Sequence, residues 1–166
     1  MIEGRAQLLG DNVSGDQIIG GQYLGGGAPP EELAGHLFES CRPDLAQSLQ
    51  PKDILVAGEN FGCGSSREQI LLVMKAAGIR CVVARSFSRN FYRGGVNLDI
   101  LTIVCAPRVE EYDRLTVDVE AGIISMDGRG DYPFPAFPVQ LAGLVRAGGL
   151  IPYYKAVSYT HRRCRR

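Results

Sequence analysis

The segment from Asp53 to Ala84 constrains this chain more than any other. An apolar run, Asp53-Ile54-Leu55-Val56-Ala57, leads into a glycine-rich turn. Ile70-Leu71-Leu72-Val73-Met74-Lys75-Ala76-Ala77 follows and stops at Gly78, and Arg80-Cys81-Val82-Val83-Ala84 is a second apolar run. Short apolar runs on either side of a helical stretch read as strand, helix, strand. Strands joined by such a crossover lie parallel, which makes this an α/β chain. Residues 58–69 then form a strand-to-helix turn, where backbone N–H groups and partial positive charge favour an anion.

The remaining sequence supplies a frame for that turn. Gly4 to Ile19 reads as a short strand, a polar turn over 10–16 and an apolar pair. Gly20-Gly21-Gln22-Tyr23-Leu24-Gly25-Gly26-Gly27 is too glycine-rich for regular structure, so it is either a plain flexible loop or a segment that closes on a ligand. Pro29 to Glu39 predicts a helix with proline early and acids in its first turn, and 43–49 a second, shorter one. His36 has no acid, Cys or second His at ligand spacing and is expected at or near the surface. Ser86 to Tyr92 predicts a helix ended by Gly94-Gly95, and Leu98 to Val104 a strand. Residues 115–119 and 123–126 predict a hairpin with a further turn at 127–130, and 138–147 a last helix. One domain is expected over 1–157, with a disordered basic tail over 158–166.

Composition mainly excludes. At 166 residues, with 45% hydrophobic and 22% charged residues, the chain is an ordinary globular one. Its 18 basic and 18 acidic residues cancel, so nothing points to nucleic acid. No apolar run reaches the about 18 residues that span a bilayer, and no apolar leader region follows Met1, so a cytoplasmic protein without membrane contact is expected. Cys41, Cys63, Cys81, Cys105 and Cys164 are widely spaced and contain no C-x-x-C pair. That is neither a disulfide framework nor a zinc or iron–sulfur ligand set, and any metal chemistry would need a partner to bring the metal.

Three readings of 58–69 compete. A capping box, Ser65 with Glu68 or Ser66 with Gln69, accounts for one serine and one acid. It leaves the second serine, Arg67 and the glycines Gly58, Gly62 and Gly64 unexplained. A nucleotide site lacks the Walker lysine and the G-x-G-x-x-G spacing. The third reading is an active-site turn for a carboxylate substrate. Arg67 offers a fork of donors, and Ser65 could act at a reacting carbon if backbone N–H groups and cations stabilised its alkoxide. Cys63-Gly64-Ser65-Ser66 is not the G-x-S-x-G of a hydrolase.

The Asn60 to Glu68 stretch, N-F-G-C-G-S-S-R-E, resembles the small-subunit family of 3-isopropylmalate dehydratase, the swivelling domain of the aconitase superfamily. Ala76-Ala77-Gly78-Ile79, Val82 to Phe87, Asn90-Phe91-Tyr92-Arg93 and Gly148 to Tyr153 resemble further segments of that family. The resemblance implies a three-layer β/β/α swivelling domain and a hydro-lyase that is active only with a large subunit. That partner would carry a 4Fe-4S cluster, which binds the substrate's hydroxyl and one carboxylate. It implies Ser65 as the base, Asp16 as acid–base support, and Ser66, Arg67 and Gly64 as holders of a substrate carboxylate. Tyr23, Leu24, Gly25 and Gly26 would face the substrate's variable group. Self-association in the absence of the partner is a further expectation.

The sequence departs from the family pattern in places. The D-x-D-T-D turn reads Asn12-Val13-Ser14-Gly15-Asp16, Gln69 replaces a histidine, Gly25-Gly26-Gly27 follows Tyr23-Leu24 where many relatives carry a basic residue, and Gly94-Gly95 replaces a bulkier pair. The implied activity is interconversion of 2- and 3-isopropylmalate in leucine biosynthesis. Alternatives are a homoaconitase or 2,3-dimethylmalate dehydratase small subunit, or a non-catalytic binding paralogue.

Overall fold

A computed structural model describes residues 1–64, 67–126, 128–137 and 139–163. Seven strands make one mixed sheet: β1 (Ile2–Leu8), β2 (Ile54–Ala57), β3 (Cys81–Ala84), β4 (Leu101–Val104), β5 (Arg114–Asp118), β6 (Ile123–Met126) and β7 (Gly130–Pro133). Their spatial order is β4-β3-β2-β1-β5-β6-β7. The strands β1 to β4 run parallel, as expected for the crossover unit, while β5, β6 and β7 form an antiparallel meander. β1 is the seam. Its residues 6–8 pair with β2, whereas residues 2–5 pair with β5 in the opposite sense.

Alternation along the parallel strands feeds two cores. Leu55, Ala57, Val82 and Ala84 face the helices and meet Ile18, Phe38, Ile70, Met74 and Phe91. Ile54, Val56, Cys81 and Val83 face the curled meander and meet Leu115, Val117, Ile124 and Met126. The layers are therefore helix, sheet and sheet, with parallel strands buried on both faces. Asp53, almost wholly buried, clamps the seam: its carboxylate accepts from Arg5 Nε (3.0 Å) and Nη2 (2.9 Å), Gln7 Nε2 (2.7 Å) and the Gln50 N–H (2.9 Å).

The helices differ from expectation in several places. The segment 20–27 holds one turn of helix, α2 (Gly21–Leu24), just after α1 (Gly15–Ile18), because Leu24 has core to pack against. The helix expected from Pro29 to Glu39 stops early. It divides into α3 (Pro30–Leu33) and a 3-10 turn at Ala34–His36, and buried Phe38 then takes a left-handed φ of 60°. α4 covers Leu45–Ser48. α5 (Glu68–Ala76) has Arg67 as N-cap with no side-chain cap bond, and the serines of both expected capping boxes, Ser65 and Ser66, lie outside the described residues.

α6 (Arg89–Asn97) runs straight through Gly94 and Gly95. These glycines permit close packing: a Cβ would lie 2.5 Å from Leu71 Cδ1 at Gly94 and 2.7 Å from Thr102 Cγ2 at Gly95. After α7 (Val139–Arg146), Gly148-Gly149 does not end the fold but turns it into α8 (Leu150–Arg163). Pro152 sits in the first turn of α8, where a missing N–H costs little. The helix passes through 157–158 without a break, so part of the expected tail is helical, and Cys164, Arg165 and Arg166 lie outside the described residues.

Candidate active site

Two loops grip the turn after β2. On one side Asn12 N–H donates to Glu59 O (2.7 Å), Gly62 N–H to Val13 O (2.8 Å) and Gly15 N–H to Cys63 O (2.9 Å). Glu59 N–H donates to Asp11 Oδ1 (2.7 Å), and Asn60 Nδ2 donates to Asn12 Oδ1 (3.0 Å). Both asparagines have φ 57°, a left-handed conformation that Asn tolerates better than most residues. On the other side the Phe61 N–H donates to Ser86 O (3.0 Å) and the Asn60 N–H to Ser86 Oγ (2.8 Å). Ser88 N–H donates to Phe61 O (2.9 Å), and Ser88 Oγ donates to Gly62 O (2.6 Å). Beneath, buried Phe61 meets Phe91 edge-on at 5.0 Å, and Gly62 (φ 74°) lies against that ring.

These bonds hold the turn from Glu59 to Cys63 between the two loops. Gly64 (φ 79°) is exposed and passes close to Ser14. Ser65 and Ser66, the expected base and its neighbour, lie outside the described residues. Exposed Arg67 caps α5. Asp16 is exposed in the first turn of α1, whose capping box is real: Gln17 N–H donates to Ser14 Oγ (3.3 Å) and Ser14 N–H to Gln17 Oε1 (2.8 Å). The two charged groups converge on Gly21. A Cβ built there would lie 3.9 Å from Arg67 Nη1 and 3.9 Å from Asp16 Oδ1.

The neighbouring α2 divides its expected site residues into two kinds. Tyr23 turns its hydroxyl to Glu39 Oε2 (2.6 Å) and stacks its ring on His36, with centroids 4.1 Å apart. The Glu39 carboxylate holds the Tyr23 hydroxyl above its ordinary pKa, since ionisation would lose that bond. Leu24 is buried in the core. Gly25, Gly26 and Gly27 are exposed, with open space around them. Among the described residues no three His, Cys, Asp or Glu side chains group as metal ligands.

A protein-family model for the aconitase C-terminal domain matches residues 39–108, which include the turn, α5 and α6. The 3-isopropylmalate dehydratase small subunit 1 of Archaeoglobus fulgidus is 42% identical over 157 residues, covering 93% of this chain and 97% of that protein. The chain belongs to the 3-isopropylmalate dehydratase small-subunit family. A crystal structure of 3-isopropylmalate dehydratase from Methanocaldococcus jannaschii superimposes with a TM-score of 0.91 at 34% identity, covering 98% of both chains. The fold expected from the resemblance, a β/β/α member of the dehydratase family, is the one found. The methanogen homoaconitase small subunit of Methanothermobacter thermautotrophicus is also similar, at 37% identity over 93% of this chain and 91% of that protein.

Sequence reading missed the supports of this dehydratase turn. Ser88 had a local signal, because it starts α6 with its hydroxyl accepting from the Phe91 N–H. The Asn12–Asn60 and Tyr23–Glu39 bonds had none, since each joins segments whose contact no local pattern announces.

Proposed function

We propose that the chain is the small subunit of a two-part hydro-lyase that interconverts 2- and 3-isopropylmalate, or a close 2-hydroxy-dicarboxylate, in leucine biosynthesis. Residues 1–157 act as its swivelling domain, in the cytoplasm. The single observation that carries this reading is the meeting of Asp16 and Arg67 at Gly21, beside the N-F-G-C-G-S-S-R-E turn.

Ser65 Oγ, as an alkoxide, takes the proton from the carbon next to a substrate carboxylate. The electron pair of that C–H bond forms the double bond as the hydroxyl leaves the adjacent carbon. Rehydration reverses the step with the hydroxyl on the other carbon. Serine is a weak base, so the turn's N–H groups and the Arg67 cation must stabilise the alkoxide. Arg67 grips the carboxylate with its planar fork, assisted by Ser66 and the Gly64 backbone, and Asp16 supports proton transfer. Chemistry at the hydroxyl end is assigned to a large subunit carrying a 4Fe-4S cluster.

Substrate choice rests on Gly25, Gly26 and Gly27, where space is open and no side chain supplies a cation. An uncharged variable group, as in isopropylmalate or dimethylmalate, suits that surface. The similarity to a homoaconitase subunit favours a second reading, in which the variable group carries a carboxylate. The loop offers no charge to meet it. A non-catalytic paralogue gains little from Asn12, because that residue's role here is to bond Asn60.

Reconstituting the chain with a large subunit and assaying isopropylmalate, dimethylmalate and homoaconitate separates these readings. Activity on the first two that disappears in Ser65→Ala is expected. A preference for homoaconitate overturns the substrate assignment, and a fully active Ser65→Ala overturns the base.

A further inference from the structure

The Tyr23, His36 and Glu39 side chains form a closed contact beside the site that no step above uses. Tyr23 Oη donates to Glu39 Oε2 at 2.6 Å, the Tyr23 and His36 rings lie 16° from parallel, and His36 Nδ1 is 3.5 Å from the same Glu39 oxygen. The side carrying Glu39 and His36 is stiff. Leu37 and Phe38 between them are 1% and 0% exposed, and the Phe38 N–H donates to Ile18 O at 2.8 Å. The side carrying Tyr23 is not: Gly20 and Gly21 precede it, and Gly25, Gly26 and Gly27 follow it without a contact that a Cβ would meet.

We propose that Glu39 is a positioning residue that pins Tyr23, whose ring stacks on His36, and thereby fixes residues 25–27 against the substrate's variable group. The inference rests on the proposed function for the location of that group. Three consecutive glycines have far more backbone freedom than a recognition surface can use, so something outside them must set their path. Leu24 in the core and Tyr23 on Glu39 are two fixed points at the last turn of α2. This orders the loop before substrate arrives, which lowers the entropy lost on binding. Glu39 touches neither substrate nor reacting atoms, so its removal should act on binding and not on the chemical step.

The test combines amide hydrogen exchange on the full chain with kinetics of the reconstituted pair. Glu39→Ala should speed exchange of the Tyr23 amide, which donates to Gly20 O at 3.0 Å, by about 3- to 10-fold, the usual worth of one hydrogen bond. It should raise KM for isopropylmalate by a similar factor and leave kcat within about twofold. Glu39→Gln, which keeps an acceptor for the Tyr23 hydroxyl, should recover most of both effects. Tyr23→Phe should match Glu39→Ala in exchange, and the double variant should add nothing, because both remove the same bond. Unchanged exchange in Glu39→Ala, additive effects in the double variant, or faster exchange with an unmoved KM each overturn the proposal. Ser65→Ala is run alongside. If it stays active the active-site reading fails, while the exchange arm still decides whether Glu39 pins the loop.

Discussion

Gly62 is where the turn after β2 can be broken by one methyl group. Its φ of 74° is left-handed, and a Cβ there would lie 2.3 Å from Phe91 Cγ and 2.4 Å from Phe91 Cβ. An alanine in that conformation costs about 1–2 kcal/mol from its backbone alone. Forcing a methyl into a filled core adds about 1–3 kcal/mol, and Phe91 has little room to move because it also packs on Phe61. Gly62→Ala should therefore destabilise by roughly 2–5 kcal/mol, or about 5–15 °C in melting temperature for a chain of this size. Phe91→Ala alone should cost about 3–5 kcal/mol. The double variant should cost about 1–3 kcal/mol less than the sum, because the missing ring makes room for the methyl and only the backbone strain remains. Thermal and urea melts of the three variants settle the matter. A Gly62→Ala melting temperature within about 1 °C of the parent, or strict additivity in the double variant, refutes the clash argument.

Asp53→Ala should destabilise by about 3 kcal/mol in a urea melt, because Arg5 and Gln7 lose their shared buried acceptor; Asp53→Asn should cost less. Arg67→Lys should raise KM about tenfold through loss of the planar fork, read in the same steady-state assay that tests the base. Burial pushes the Cys81 thiol up to about 12, so at pH 8 it should react with iodoacetamide only through unfolding. The raised value favours the folded neutral thiol. Stability should therefore fall as pH climbs from about 9 towards 12, and less steeply in Cys81→Ala. The Arg42 guanidinium holds the Asp44 carboxyl below its ordinary range, and the Ala121 and Glu120 N–H groups do the same for Asp118. The stability these carboxylates contribute is complete above about pH 4 and is lost as pH falls through their folded values. Asp44→Asn should flatten the acid limb of an unfolding curve.

The parallel unit was legible because its signals are local: two apolar runs, a helix and a glycine turn within 32 residues of chain. The meander was equally plain from alternation at 115–119 and 123–126. Helix ends were less so. Gly94-Gly95 reads as a stop in sequence, yet the helix continues because Leu71 and Thr102 require a surface without side chains. Gly148-Gly149 reads as an ending because the packing of Gly149 on the Asn97 carbonyl is invisible until both segments are placed. At the candidate site, the sequence names Arg67 and Asp16 as expected site residues. Their convergence on Gly21 depends on two loops zipped by backbone bonds, and Tyr23 could not be known to face Glu39.

The double role of β1 has a consequence for how the chain is made. Its first residues reach the ribosome exit early, yet Ile2 to Arg5 find their partners only at Val117 to Arg114, more than a hundred residues later. The crossover unit around the glycine-rich turn closes over short sequence distances and can form first, whereas the meander side has high contact order and closes late. Until it does, one margin of β1 is an unpaired strand edge beside apolar Ile54 and Val56, open to pairing with another nascent chain. A synthesis arrested before Arg114 should therefore yield a sticky product, while one that passes Asp118 completes the strand and removes the hazard.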